Sequence, residues 1–337
     1  HVSNLYGSTV GPEVARTLDR LIGDGEAAGG KVFFCNSGAE ANECAFKLAR
    51  RWAGPGRYIV VSAYGSFHGR TFATLHATGQ PEKHEVFQPL PEGFHHVAWD
   101  DIAALEAATS GDAVAAVLLE PVQGEGGVNP ASAEYFQAVR RICDERGLLL
   151  ILDEIYTGFG RTGATFACEH EDVVPDLLCV GKALAGGVPI SAAIGTPRAM
   201  DAWPRSAGEA LHTSTFMGNP RACAAALANL AELERLGVAE RVRARGPRLG
   251  ERLRALARYP RVRDVRGLGY LWAVEFAAGA FANRVVVRGL ARGLILLQSG
   301  PTGTSITLAP PVTIEDEQLA RALDLFEQTI AACEEEA

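Results

Sequence analysis

Short apolar runs alternate along the chain with stretches whose apolar residues recur every three or four positions. KVFFC at 31–35 has no polar alternation and reads as a buried strand. Ala41, Cys44, Ala45, Leu48, Ala49 and Trp52 follow at helical spacing. Further strands are expected at 58–61, 113–119, 148–152, 177–180 and 190–194. Between the second and third of these, Tyr135, Phe136, Val139, Ile142 and Cys143 mark another helix face. Uniformly apolar strands separated by helices predict an α/β fold whose central sheet is mostly parallel and covered on both faces. That region is expected to span residues 1–220, with a long helix following at 220–236. The remainder, 221–337, reads as this linking helix plus a smaller C-terminal α+β domain. Its expected parts are helices at 238–257, 281–292 and 315–333, and strands within 262–276, at 294–297 and at 305–308.

Composition narrows the partners. The chain of 337 residues has a formal net charge of −8, and no basic run follows the pattern of a phosphate-backbone binder, so nucleic acid is not expected. No apolar stretch approaches the roughly 18 residues that a membrane span needs. The seven cysteines are odd in number and contain no C-x-x-C, which argues against a disulfide framework or a zinc site and for a reducing cytoplasm. The opening HVSNLYGS reads like the interior of a protein, so a preceding segment is expected.

Candidate chemistry sits where the predicted strands end. Ser37-Gly38-Ala39-Glu40 follows the first strand and opens a helix. Its S-x-x-E spacing matches a capping box, common in ordinary helices, and the free N–H groups of such a start also suit an anion. Asp153 ends the strand at 148–152, where open α/β sheets bind ligands, although an N-cap or a loop ion pair would explain it equally. Lys182 follows the strand at 177–180 and precedes Ala-Leu-Ala-Gly-Gly. A lysine partly desolvated there would be a nucleophilic amine, whereas most lysines in sequences are merely solvated. Glu120 and Glu125 lie in the glycine-rich loop after 113–119, which turn formation alone would also explain. Together these strand ends offer a phosphate site, an acid for a pyridinium nitrogen and an amine for a Schiff base. Pyridoxal 5'-phosphate needs all three.

The motifs SGAEANE (37–43), FHGRT (67–71), EPVQGEGG (120–127), LDEIYTGFGRTG (152–163), PDLLCVGKAL (175–184), STFMGNP (214–220) and ITLAPPVTI (306–314) extend this reading. With them the chain resembles the class III, fold-type I pyridoxal-phosphate aminotransferases, the group of the acetylornithine, 4-aminobutyrate and ornithine enzymes. The resemblance implies that Lys182 holds the cofactor as a Schiff base and then shuttles a proton, and that Asp153 pairs with the pyridine nitrogen. It implies that Gly38 and Ala39 bind the phosphate, that Phe67 and Ile155 cover the two ring faces, and that His68 lies beside them. Thr215 would reach the phosphate of a neighbouring subunit, which implies a homodimer with shared active sites. Arg70 would bind a substrate carboxylate, Glu125 would mask a second arginine, and Ser214 belongs with them on the substrate side.

Three departures matter. Tyr156 stands where the family often has a glutamine touching the cofactor's phenolic oxygen. Thr307 stands where the usual arginine binds an α-carboxylate, and Arg266 or Arg284 are candidate substitutes. The expected N-terminal segment, part of the family's substrate pocket, lies outside this sequence, and 277–283 looks short for its loop. The expected activity is ping-pong transfer from a small-molecule amine donor to a keto-acid acceptor. An amino-acid racemase of the same family is the alternative. A non-catalytic nucleotide-binding module is disfavoured, because no G-x-G-x-x-G or Walker pattern follows a strand.

Overall fold

The structure is a computed structural model, and it describes residues 2–3, 6–22, 28–204, 208 and 210–336. Nine strands lie in the first part of the chain: β1 (Lys31–Cys35), β2 (Ile59–Ala63), β3 (Phe94–Val97), β4 (Val114–Leu119), β5 (Val122–Gln123), β6 (Asn129–Pro130), β7 (Leu149–Asp153), β8 (Leu177–Val180) and β9 (Ser191–Gly195). Seven of them form one sheet in the order β1-β9-β8-β7-β4-β2-β3. The helices of this part are α1 (Val10–Ile22), α2 (Gly38–Ala53), α3 (Phe72–Ala77), α4 (Ile102–Ala108), α5 (Ala133–Arg146) and α6 (Pro197–Met200).

Uniform hydrophobicity in β4 and β7 reflects burial on both faces, and the period-two geometry of a strand sorts their side chains. Val117, Leu119, Leu150 and Leu152 join Tyr135, Phe136 and Val139 of α5 on one side. Ala116, Leu118, Leu149 and Ile151 join Ala41, Cys44, Ala45 and Leu48 of α2 on the other. Leu48 is fully enclosed, and trimming such a residue to alanine costs about 2–5 kcal/mol.

One strand departs from the expected parallel arrangement. β9 runs antiparallel to both β8 and β1, while β8, β7, β4, β2 and β3 are mutually parallel. The chain between β8 and β9 holds only the short 3-10 turn Lys182–Ala185, too little for the crossover that a parallel neighbour requires. α1, absent from the reading above, packs Val14 and Leu18 into the α5 side of the core.

The long helix α7 (Pro220–Arg235) places Ala222, Cys223, Ala226 and Leu230 in the core of the large sheet. Beyond it come α8 (Val238–Arg254), β10 (Val262–Leu268), β11 (Leu271–Phe276), α9 (Gly279–Ala291), β12 (Leu297–Ser299), β13 (Ser305–Leu308) and α10 (Asp316–Glu335). The four strands form an antiparallel sheet in the order β10-β11-β13-β12. Trp272, Val274 and Ile306 from this sheet share a core with Val242 of α8, Val285 of α9 and Phe326 of α10. Among the described residues no helix is long and apolar enough to cross a membrane.

Candidate active site

β4, β7 and β8 are parallel neighbours, so their C-terminal ends lie at one edge of the sheet. That edge is where open α/β sheets hold ligands. Glu120, Asp153 and Lys182 follow or end these three strands.

The start of α2 supplies two unused donors. Ser37 caps the helix: its Oγ accepts from the Glu40 N–H at 3.3 Å, and Glu40 Oε2 accepts from the N–H of Asn36 at 2.6 Å and of Ser37 at 3.0 Å. The N–H groups of Gly38 and Ala39 have no partner among the described residues, as the first turn of a helix dictates. Ser191 Oγ donates to the Ser37 carbonyl at 2.6 Å and pins this turn to β9. A Cβ on Gly38 would lie 2.6 Å from Ile155 Cδ1, so the helix start and the Ile155 side chain approach closely only because residue 38 is glycine.

Behind this edge lies a buried acidic cluster. Asp153 Oδ2 accepts from Asn42 Nδ2 at 2.8 Å and faces His68 Nδ1 at 2.9 Å, while Oδ1 accepts from the Ile155 N–H at 3.1 Å. Asn42 Nδ2 also donates to the His68 carbonyl at 2.8 Å. Glu120 accepts from the N–H groups of Phe67 at 2.9 Å and Gly124 at 3.2 Å. Burial pushes the Glu120 carboxyl up to about 7, and Asp153 adds to this while His68 and the two N–H groups oppose it. Asn42 Oδ1 and His68 Nε2 are buried without a partner.

Lys182 stands in front of that cluster. Its backbone takes φ 36°, a left-handed conformation costing a non-glycine residue about 1–3 kcal/mol and characteristic of functional positions. The side chain opens to solvent along the site, yet its Nζ lies 4.3 Å from the centre of the Tyr156 ring. The enclosing walls pull its pKa below the usual lysine range by desolvation, against the opposing pull of Asp153, Glu120 and Glu125. Tyr156 is itself pressed against the backbone at Gly124, where a Cβ would meet its ring at 2.1 Å.

The rim is more open. Arg70 is exposed, and its guanidinium lies 5.6 Å from the centre of the Phe67 ring. Lys83 Nζ lies 5.3 Å from the same ring and 2.7 Å from Glu125 Oε1. Gln80 Nε2 donates to Glu125 Oε2 at 2.6 Å, and the Glu125 carbonyl accepts from Gly300 N–H at 3.0 Å. Ser214 Oγ accepts from Asn36 Nδ2 at 3.2 Å, next to the capped turn, and Thr215 is exposed.

Of the expected substitutes for the arginine missing at Thr307, Arg266 is already ion-paired and Arg284 lies on α9. Thr307 is buried in β13 with its hydroxyl 2.6 Å from that of Ser299. Arg266 already shares its charge between Asp264 at 2.7 Å and Glu275 at 2.6 Å. Arg284 is exposed on α9, where its field acts on Cys333 of α10 in the small domain. The partner of Glu125 is Lys83, which the sequence did not single out. Asn42 was also missed, although a polar residue four positions after Gly38 and three before Ala45 on the buried face of α2 was a visible signal.

An unpaired N–H couple, a buried carboxylate with a fixed orientation and an amine of lowered pKa are the donor set that pyridoxal phosphate requires, so the residues present fit that cofactor. Orphaned His68 Nε2 and Asn42 Oδ1 mark the same cluster as one built for more than packing.

Known proteins agree with this reading. The family model for aminotransferase class-III matches residues 1–330. An acetylornithine aminotransferase from Nostoc sp. is 43% identical over 344 residues, covering 98% of this chain and 78% of that protein. A putrescine aminotransferase from Pectobacterium atrosepticum is 44% identical over 300 residues, covering 86% of this chain and 64% of its own. A crystal structure of ornithine aminotransferase from Toxoplasma gondii, described with partial occupancy of PLP at its active site, superposes with a TM-score of 0.92. It is 34% identical and covers 99% of this chain and 79% of that one.

Proposed function

The chain belongs to the class-III aminotransferase family, and we propose that Lys182 is its covalent anchor for pyridoxal phosphate and its proton carrier. The family's activity is pyridoxal-phosphate-dependent transamination between an amine donor and a keto-acid acceptor. The observation that carries the residue assignment is the meeting of a free N–H pair, a buried carboxylate and a lysine of lowered pKa at one sheet edge.

When bound, the cofactor supplies a carbonyl that takes up the amine and a ring that stabilises negative charge on the adjacent substrate carbon. The N–H groups of Gly38 and Ala39 would hold its phosphate, helped by the positive end of α2. Asp153 would offer a negative oxygen to the ring nitrogen and so favour its protonated form. Asn42 and His68 fix the carboxylate's orientation, and Ile155 and Phe67 close the space on either side. The lowered pKa of Lys182 increases its neutral fraction, the form that attacks a carbonyl. The same Nζ would accept the proton that leaves the substrate carbon and give it back. Tyr156 replaces a glutamine with a phenol beside that amine and shapes the space in front of it.

For the donor, we favour a linear ω-amine whose far end carries a carboxylate, as an acylated ornithine does. Arg70 is exposed and forms no ion pair with any described residue, so it is ready for such a group. Acetylornithine, putrescine and ornithine, for which the similar proteins are named, share a primary amine on an unbranched chain. The exposure of Thr215 suits a homodimer in which it reaches the other subunit's phosphate site. Seven free and buried cysteines suit the cytoplasm.

Borohydride reduction of the holoenzyme followed by peptide mapping tests the anchor, and the label is expected on the peptide containing Lys182. A label elsewhere, or none, overturns the assignment. A donor panel read by cofactor absorbance and keto-product formation separates transamination from racemisation, which inverts the substrate without keto product. Light scattering of the holoenzyme reads the dimer.

A further inference from the structure

We infer that Tyr156 is a positioning residue for the Lys182 amine: while that amine is free, the face of the ring holds its ammonium form and sets how readily it takes up and gives back a proton. This rests on the reading of Lys182 as proton carrier, and it gives a role to the residue that stands in place of the family's glutamine.

Lys182 Nζ has no hydrogen bond and no ion pair among the described residues, and the contact it does make is with the face of Tyr156, 4.3 Å from the ring centre. Asp153, Glu120 and Glu125 act on it only through their fields. The face of an aromatic ring carries the negative part of its quadrupole and attracts a cation placed over it. At an open site this attraction changes an amine's proton affinity about two- to fivefold. A carboxylate in contact would hold the loaded amine more firmly and hinder return of the proton. The ring favours the ammonium form without locking it, which suits a group that must load and unload in each turnover.

The fold fixes the ring in that place. Tyr156 lies against the backbone of Gly124, an approach that any side chain there would block. It also packs with Val122 and Val128, which flank the glycine-rich turn, and with Leu271 and Ala273 of β11, so residues before and after α7 grip it. Its hydroxyl has no hydrogen bond among the described residues. Burial raises the phenol's pKa against the field of Arg161, so the side chain stays neutral and does not act on the amine as an anion. What it offers Lys182 is the ring face, and a glutamine at this position would bring an amide with no such face. The lysine stem is flexible, so a fixed ring also narrows where its amine rests.

The test compares wild type with Tyr156→Phe, Tyr156→Leu and Tyr156→Gln. The first readout is competitive acetylation by trace acetic anhydride across pH, followed by mass spectrometry, on the full chain freed of cofactor. Lys31, Lys47 and Lys83, the other lysines of the chain, serve as references in each sample. The pH of half-maximal reactivity at Lys182 should fall by about half a unit in Tyr156→Leu and Tyr156→Gln, and keep the wild-type value in Tyr156→Phe. The second readout is the acid limb of the kcat profile of the holoenzymes. It should move down by the same amount in the same two variants, with KM for the donor unchanged. An unmoved Lys182 in Tyr156→Leu and Tyr156→Gln, or a Tyr156→Phe that falls with them, would overturn the role of the ring face. A shifted amine with an unmoved acid limb would remove Tyr156 from proton carriage. If borohydride labels a residue other than Lys182, the carrier reading falls, while the acetylation profile still decides the ring contact.

Discussion

On the side of the site that faces the sheet, Asp153, Asn42, His68 and Glu120 are buried and bonded to one another or to backbone. On the rim, Arg70 and Thr215 are exposed, and Lys83 and Glu125 hold each other through partly exposed side chains. Burial in low dielectric makes each polar contact of the inner side costly to break, so its geometry is kept. The rim's ion pairs face solvent, where such pairs contribute about 0–1 kcal/mol and exchange readily. The inner side is suited to chemistry common to all substrates, and the rim to telling them apart.

The sharpest way to break this contrast is Asp153→Ala. It removes the acceptor for Asn42 and His68 and the proposed partner of the ring nitrogen. It should lower kcat by about 10²–10³-fold, equally for a carboxylated donor and a plain diamine in steady-state assays. A substrate-selective loss would mean that the inner side also discriminates. Next in size is Gly38→Ala, whose added methyl collides with Ile155. Thermal or urea unfolding of the apoenzyme should show a loss of about 1–3 kcal/mol, and cofactor affinity should fall with it. An unshifted midpoint would show that Ile155 yields freely.

Arg70→Ala probes the rim. An exposed guanidinium places its loss at the lower end of the charge-assisted range, about 1.5 kcal/mol or roughly tenfold in KM. That effect should be confined to carboxylated donors, and an equal effect on putrescine would remove Arg70 from substrate recognition.

The smallest expected effect concerns what supports the rim segment. His84, next to Lys83, packs with His76 and His96 at ring separations of 5.6–6.1 Å. Burial lowers the His96 pKa from 6.5 to about 4; the Ala77 carbonyl opposes this, and the neighbouring His76, His84 and His68 add to it. The unfolded chain therefore takes up a proton near pH 6.5 that the folded chain refuses until about pH 4. His96 accordingly contributes full stability above pH 6.5, lost progressively as the pH falls toward 4. Denaturant midpoints measured across that window should flatten in His96→Gln. An unchanged slope would show that His96 is not the group responsible.

Much of the inner side was legible in the chain. Ser37, Asp153 and Lys182 each follow an uninterrupted apolar run, and strand patterning locates such ends without knowledge of the fold. The reversal of β9 was legible only in the brevity of its connection, which the apolar pattern hides. Thr307 in place of arginine was visible as a substitution, but its burial against Ser299 required β13 to pair between β11 and β12. Lys83 carried no local signal, because PEKHE reads as an ordinary solvated turn.

The chain by itself therefore determined most strands of the large sheet, though not β3 or the short β5 and β6, which polar residues end them and which family they belong to, because these follow from periodicity and short motifs. The tertiary structure alone decided that Asp153 meets Asn42 and His68, that the walls around Lys182 lower its pKa and that Glu125 meets Lys83. Those contacts join segments tens of residues apart, and the dielectric and field at each group depend on what packs around it.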